Sequence, residues 1–274
     1  GILDNERTRN KIIKDELLVL KEKYGDERRT EIIKDYKEFA LEDIIAEEDV
    51  VVTISHGGFI KRFPVSGYRR QGRGGKGVTG AGTKEDDFIE HMFVASTHQY
   101  ILFFTDKGRC YWLKVHEVPE GGRTARGRSV VNLLDKDKDD NITAFVAVKE
   151  FREDQYLIMA TQKGTIKKTV LAAYGNVRKG GINAINLAAG DSLIEVKMTD
   201  GKNDIVIGTS HGFAIRFNEK DVRDMGRTAT GVRGVRLGKG DHVVGLLVIR
   251  NDQTTVLVVT EKGFGKRSDI NDYR

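Results

Sequence analysis

Two prolines, one tryptophan and one cysteine are all that a chain of 274 residues holds of these types. Cys110 has no second cysteine to pair with, so no intrachain disulfide framework supports the fold, and a reducing, cytoplasmic setting is expected. No run of about 18 apolar residues occurs, which excludes a membrane-spanning helix. Residues 1–10 are charged and lack the apolar segment of a secretory signal, so none is expected there. Hydrophobic residues nevertheless make up 39%, enough for a core and too many for a disordered chain. The length fits one large domain or two ordinary ones, at about 100 to 200 residues each. Glycine is in excess, at 31 of 274 residues where the usual share is about 7%. Something in this fold needs many glycines.

The charge balance, 46 basic against 41 acidic residues, looks nearly neutral until it is divided along the chain. Residues 1–49 hold 10 basic and 15 acidic side chains, a net of −5, while residues 50–274 hold 36 and 26, a net of +10. A basic body suggests a polyanionic partner, of which nucleic acid is the commonest. Ordinary solvated charge is the competing explanation, and the positions of the cations must decide.

The acidic head has the texture of helix. Ile12, Ile13, Leu17, Leu20 and Tyr24 recur at three- and four-residue steps, the stripe of an amphipathic helix that Asp4 or Asn5 can cap and Gly25 can end. A weaker helical stretch, Arg29 to Phe39, follows. Residues 1–46 are expected to form this helical segment and 47–274 a separate all-β body.

In the body, Ser55-His-Gly-Gly58, Thr105-Asp-Lys-Gly108, Thr161-Gln-Lys-Gly164, Thr209-Ser-His-Gly212 and Thr260-Glu-Lys-Gly263 share the form Ser/Thr-x-x-Gly, their glycines 50, 56, 48 and 51 residues apart. Each follows an apolar run and precedes a mixed strand such as Phe59-Ile-Lys-Arg-Phe63, which predicts a β-hairpin whose glycine supplies a positive φ. Upstream of four of these hairpins lies a further apolar strand, often announced by an acidic residue, at 87–95, 141–148, 191–196 and 241–249. Three to four strands in every ~50 residues is the arithmetic of a propeller-like ring of blades.

The cations keep step with this repeat. Four residues past the turn glycines stand Arg62, Trp112, Lys168, Arg216 and Arg267, so four of the five are cationic and are expected to form a belt. A second, glycine-rich basic loop follows each complete repeat. The first carries Arg69, Arg70, Arg73 and Lys76; the second Arg123, Arg126 and Arg128; the third Arg178 and Lys179; the fourth Arg227, Arg233 and Arg236. Glycine there would let backbone amides approach a phosphate while Arg or Lys neutralises it, a chemistry that reads no base sequence. No array of aromatic side chains accompanies the loops, which favours a duplex over a single strand.

Within the first loop, Gln71-Gly72-Arg73-Gly74-Gly75-Lys76-Gly77 closely resembles the seven-residue box of the C-terminal domain of the DNA gyrase A subunit, usually Gln-Arg-Arg-Gly-Gly-Lys-Gly. The segments 48–58, 231–236 and 23–32 agree with that family as well, so the resemblance covers essentially the whole chain. It implies a six-bladed β-pinwheel, a propeller relative with strands exchanged between blades. It also implies that double-stranded DNA is wrapped chirally on the basic side, so that strand passage driven by ATP on the B subunit introduces negative supercoils. The implied partners are DNA, the rest of the gyrase A polypeptide and the gyrase B subunit, in an assembly of two of each within the bacterial nucleoid, with no membrane. ATP and magnesium would belong to the whole enzyme, with no cofactor in this chain. Two departures stand out: position 72 is Gly where the box has Arg, and five hairpins are present where the family has six blades. The nucleophilic tyrosine of DNA cleavage is expected upstream, so none of the 8 tyrosines here is assigned to it.

No catalytic or metal constellation competes with this reading. His56, His91, His98, His116, His211 and His242 lack the spacing of a metal site, and the Asp135 to Asp140 run lacks the glycine and distal glutamate of a calcium loop. It is expected to be a solvated connection. The remaining alternatives are the homologous domain of topoisomerase IV and a kelch-like protein-interaction propeller, whose period is also ~50 residues.

Overall fold

A computed structural model of the chain describes residues 5–26, 29–30, 44–67, 87–122, 124–137, 139–176, 178, 180–251 and 254–273. It divides into two compact units, Gly1–Ile44 and Ile45–Arg274. In the first, α1 (Glu6–Tyr24) starts where Asn5 accepts hydrogen bonds from the amides of Arg7 and Thr8 at 3.1 and 3.4 Å. It ends where the Gly25 amide closes on the Lys21 carbonyl at 2.8 Å. A Cβ at position 25 would lie 2.3 Å from that carbonyl oxygen, so glycine is needed there for space. No residue of α1 is buried. The second expected helix lies, from residue 31 onward, outside the described residues.

The second unit is a succession of antiparallel hairpins. β1 (Asp49–Ser55), β2 (Phe59–Pro64) and β3 (Ile89–Ser96) form the first blade around β1. β4 (Tyr100–Thr105) and β5 (Arg109–Lys114) make the second hairpin; the two-residue β6 (Arg128–Ser129) follows, then β7 (Ile142–Val148), which pairs with β4. The third hairpin, β8 (Tyr156–Thr161) and β9 (Thr165–Val170), is followed in the chain by the short β10 (Ile182–Asn183) and by β11 (Leu193–Thr199), which pairs with β8. The fourth, β12 (Asp204–Thr209) and β13 (Ala214–Asn218), is followed by the short β14 (Val232–Arg233) and by β15 (Val243–Ile249), which pairs with β12, and the fifth hairpin is β16 (Thr255–Val259) with β17 (Gly265–Asp269). All five turn glycines have the positive φ the motif demands: 73° at Gly58, 76° at Gly108, 87° at Gly164, 82° at Gly212 and 81° at Gly263.

The short strands are exchanged. β6, downstream of the second hairpin, pairs with β2 of the first; β10 pairs back onto β5, and β14 onto β9. Each of the first three blades thus takes its fourth strand from chain that has already built the next blade. This is the pinwheel arrangement.

Alternation within the central strands explains why the blades stack. Ile101 and Phe103 of β4 face Val50, Val52 and Ile54 of the first blade, while Leu102 and Phe104 face Leu157 and Met159 of the third. Ile158 and Ala160 of β8 face Ile205 and Ile207, and Val206 between those two faces Val256 of the fifth blade. With a period of two, a strand apolar at every position buries both faces, each large side chain contributing about 1.5–3 kcal/mol.

The acidic residues ahead of the third strands clamp the hairpin turns. Asp87 accepts from the Gly57 amide at 2.8 Å; Asp191 accepts from the Thr161 hydroxyl at 2.7 Å and the Lys163 amide at 2.9 Å; Asp241 accepts from the Ser210 hydroxyl at 2.8 Å and the His211 amide at 3.0 Å. In the second blade the roles are reversed: Asp106, inside the turn, accepts from the amide and side chain of Asn141 at 3.1 and 2.9 Å. The Asp135 to Asp140 connection departs from expectation at its end. Asp135, Asp137 and Asp139 are exposed, but Asp140 is buried, with Lys107 at 2.9 Å compensating its charge.

Partial desolvation pushes the Asp241 carboxyl up, yet the hydroxyls of the turn and the amides of His211 and His242 outweigh it and hold the group at about 2 against an ordinary 3.8. Its contribution to stability is therefore complete above about pH 4 and lost as the pH falls through about 2. Thermal unfolding of Asp241→Ala should show a midpoint a few degrees below that of the parent at pH 7, the gap closing toward pH 2. A gap that persists unchanged in acid would contradict the clamp.

Candidate nucleic-acid interface

The cations of the repeat divide into two populations. Those in the returning strands point into the blade junctions. The Arg62 guanidinium donates to the Val118 carbonyl at 2.8 Å and pairs with Glu120 at 3.2 Å. Lys168 donates to the Glu219 carbonyl at 3.1 Å and pairs with Asp224 at 3.0 Å, and Arg216 donates to Asp204 at 2.8 Å and to the Ile270 carbonyl at 3.1 Å. In each case the partner carbonyl belongs to the segment just after the next hairpin. The expected belt is therefore corrected at this register. Arg62, Lys168 and Arg216 are latches between blades, because the carbonyls at each junction lose water and need a donor. Trp112 fills the same register in the second blade and packs edge-on against Tyr100. Arg267 alone among the four cations is exposed.

One residue earlier stand two lysines whose role the sequence pattern did not signal. Lys61 is 3% exposed and Lys167 0%. The Lys61 ammonium donates to the carbonyls of Ala125 at 2.6 Å and Gly122 at 3.2 Å; that of Lys167 donates to those of Arg227 and Ala184, both at 2.5 Å. Burial lowers the pKa of both, and with the added charge of Arg227 it brings Lys167 to about 8. In the second blade Arg109 does the comparable work, donating to the Gly180 carbonyl. The signal available in sequence was the shared register, three residues past the turn glycine and next to the cations at Arg62 and Lys168.

The second population sits on the loops that end in the exchanged strands. Gly127 and Gly231, at φ 84° and 101°, open β6 and β14; a Cβ at either would meet the carbonyl oxygen of Ile60 or Ile166 at 2.4 or 2.6 Å. These glycines therefore face the preceding blade and admit the exchanged strand, where approach to a phosphate had been expected of them. Arg126 and Arg128 beside Gly127, Arg233 and Arg236 beyond Gly231, and Arg178 on the loop ahead of β10 are exposed, and among the described residues none is paired with a carboxylate. Arg126 lies over the Phe59 ring at 3.8 Å, and half-buried Arg227 donates to the Asn183 carbonyl at 3.4 Å. Arg69, Arg70, Gln71, Gly72, Arg73, Gly74, Gly75, Lys76, Gly77, Arg123 and Lys179 lie outside the described residues. Also among the described residues, no three His, Cys, Asp or Glu side chains gather as metal ligands would.

Comparison with known proteins places this arrangement. The family model described as DNA gyrase C-terminal domain, beta-propeller matches residues 49–96, 99–148, 155–200, 203–250 and 254–274, one segment for each hairpin. The gyrase A protein of Staphylococcus aureus (strain MRSA252) is 46% identical over 277 residues, covering 100% of this chain and 31% of that protein. The chain thus spans about a third of the length of the curated relatives it matches. Among solved structures, the C-terminal domain of a DNA topoisomerase IV superposes with a TM-score of 0.71 at 30% identity, covering 84% of this chain and 70% of that one. A DNA gyrase A C-terminal domain superposes at 0.65 and 26% identity, covering 82% and 73%.

The buried amines supply a direct check on the interior geometry. In a nuclear magnetic resonance titration, the Lys167 side chain should change charge near pH 8, below the ordinary lysine value of 10.5. A Lys167 midpoint at the ordinary value would place its ammonium in water and contradict the contacts described.

Proposed function

The chain belongs to the family of DNA gyrase A C-terminal domains, and from that premise we propose that it binds duplex DNA through the phosphates and bends it chirally along the arginines of its exchanged loops. The observation that carries this reading is the recurrence of exposed arginines, none of them ion-paired among the described residues, in or close to the exchanged strands of successive repeats: Arg126 and Arg128 at β6, Arg178 ahead of β10, and Arg233 and Arg236 at β14. Bending 20–30 base pairs by 40–90° costs roughly 1–6 kcal/mol, so an isolated patch would bind DNA without wrapping it. Cations distributed over successive blades supply contacts along the curve. The seven-residue box at 71–77, with Arg69 and Arg70 beside it, is the richest of the loops, and we assign it the point where the duplex enters or leaves. Arg62, Lys168 and Arg216 support the wrap indirectly, by holding the blades in register.

In the whole enzyme this wrap would present a DNA segment of fixed handedness to the cleavage core of the gyrase A polypeptide. ATP turnover on the B subunit, with magnesium, would then drive strand passage and leave negative supercoils in the nucleoid. The topoisomerase IV counterpart is the second reading, favoured by the superposition at 0.71. The near-complete box and the 46% identity to a gyrase A protein support the first. A kelch-like interaction propeller is disfavoured by the exchanged strands and by cations that repeat with the blades.

Religation of nicked plasmid in the presence of the chain should give a linking-number shift of one sign. Replacing Arg69, Arg70, Arg73 and Lys76 together by alanine should abolish most of it, and an unchanged shift would contradict the role given to the box. Affinity should also fall steeply with salt, log K declining by about 0.9 per phosphate contact for each unit of log salt, with little dependence on base sequence. Binding that is insensitive to salt would point to another mode.

A further inference from the structure

Two loops of this chain share the sequence Gly-Arg-Thr-Ala: 122–125 after the second hairpin and 226–229 after the fourth. Both form the same turn, the Ala125 amide closing on the Gly122 carbonyl at 3.0 Å and the Ala229 amide on the Gly226 carbonyl at 3.1 Å. Each turn has a buried lysine beneath it, from the preceding blade and from the same register of its returning strand: Lys61 under the first, Lys167 under the second. The second hairpin carries Tyr111 at that register, and the loop that follows the third, 177–181, has a different sequence. Among the first three hairpins, lysine at this register thus accompanies the Gly-Arg-Thr-Ala turn; Lys266 of the fifth is exposed and no such turn follows it in the sequence.

We infer that Lys61 and Lys167 are positioning residues for DNA binding, each donating to a Gly-Arg-Thr-Ala turn from below, Lys61 to the Gly122 and Ala125 carbonyls and Lys167 to the Arg227 carbonyl, and so fixing where the arginines at the exchanged strand after that turn meet the duplex. The inference rests on the proposed DNA binding and goes beyond it. Neither ammonium is accessible to a phosphate, since both are out of solvent, so any effect on DNA must pass through the turn. Packing alone does not account for them. Ile60 and Ile166, one residue earlier, project to the opposite face of each strand, and an amine taken out of solvent is unfavourable unless its donors are satisfied. Here Lys61 donates to the Gly122 and Ala125 carbonyls, and Lys167 to those of Arg227 and Ala184. A buried polar contact of this kind selects one loop geometry over its alternatives. The arginines downstream, Arg126 and Arg128 in one case and Arg233 and Arg236 in the other, are exposed and leave from that fixed base.

Lys167→Met keeps the side-chain length and removes the donors; Lys61→Met does the same at the first turn. The test uses a fluorescent duplex and the plasmid religation assay, with the parent chain as reference. If the parent binds and wraps DNA, the proposed function stands whatever the variants do. On the inference, each variant stays folded but binds roughly tenfold more weakly near 0.1 M salt, with a salt slope smaller by about one to two phosphate contacts. In the Lys167→Met background, Arg233→Ala and Arg236→Ala should then cost much less than in the parent, because those arginines have already lost their alignment. Amide hydrogen exchange without DNA should quicken at 226–231 in Lys167→Met and at 121–127 in Lys61→Met, and nowhere else to the same degree. Parent-like slope and exchange in both variants would overturn the inference, as would full additivity with the arginine substitutions. Loss of cooperative folding in both variants would show that the lysines hold the blade and not the turn, and would overturn it as well.

Discussion

A sheet that is apolar on both faces cannot stand alone in water, and every central strand of this protein belongs to such a sheet. Leu102 and Phe103 are adjacent in β4 and both fully buried, one against the blade that follows and one against the blade that precedes. The same holds for Leu157 and Ile158 in β8. Repetition is the direct consequence, because only another copy of the same sheet presents a matching face. Strand exchange follows from the same constraint: a blade whose last strand comes from its successor cannot drift away from it.

Close stacking buries main-chain carbonyls at each junction, and the answer is a set of internal cations. Arg62, Lys168 and Arg216 serve the segments after the next hairpin, while Lys61, Lys167 and Arg109 serve the loops beyond them. Basic residues thus do two jobs that composition cannot tell apart. The buried set is engaged with carbonyls of neighbouring segments, and only the exposed set faces solvent, where an anion could meet it. The excess of +10 over residues 50–274 counts both.

Much of the fold was legible because its demands fall on single residues. A tight turn with positive φ requires glycine at one position, so five turns at a regular period could be read directly, and Asn5 and Gly25 marked the ends of α1 in the same way. The exchanged strands could not be read from the residues, since β6, β10 and β14 are two residues long and carry no periodicity; only the family resemblance implied them. The site was legible in part. Charge on a strand is visible in sequence, but whether a carbonyl of the next blade lies within reach is not, which is why Arg62, Lys168 and Arg216 were expected on an open belt. The glycines beside the arginines were likewise seen as a class while their purpose, admitting another strand, depended on a chain segment some sixty residues earlier, as with Gly127 and Ile60.

The central claim is the partition of cations between scaffold and DNA contact, and arginine-selective chemical modification read by mass spectrometry, with and without a long duplex, tests it residue by residue. Arg126, Arg128, Arg178, Arg233 and Arg236 should react in the free chain and be protected by DNA, while Arg62 and Arg216 should react slowly in both states. Loop arginines that remain equally reactive with DNA bound, or protection confined to Arg62 and Arg216, would contradict the account.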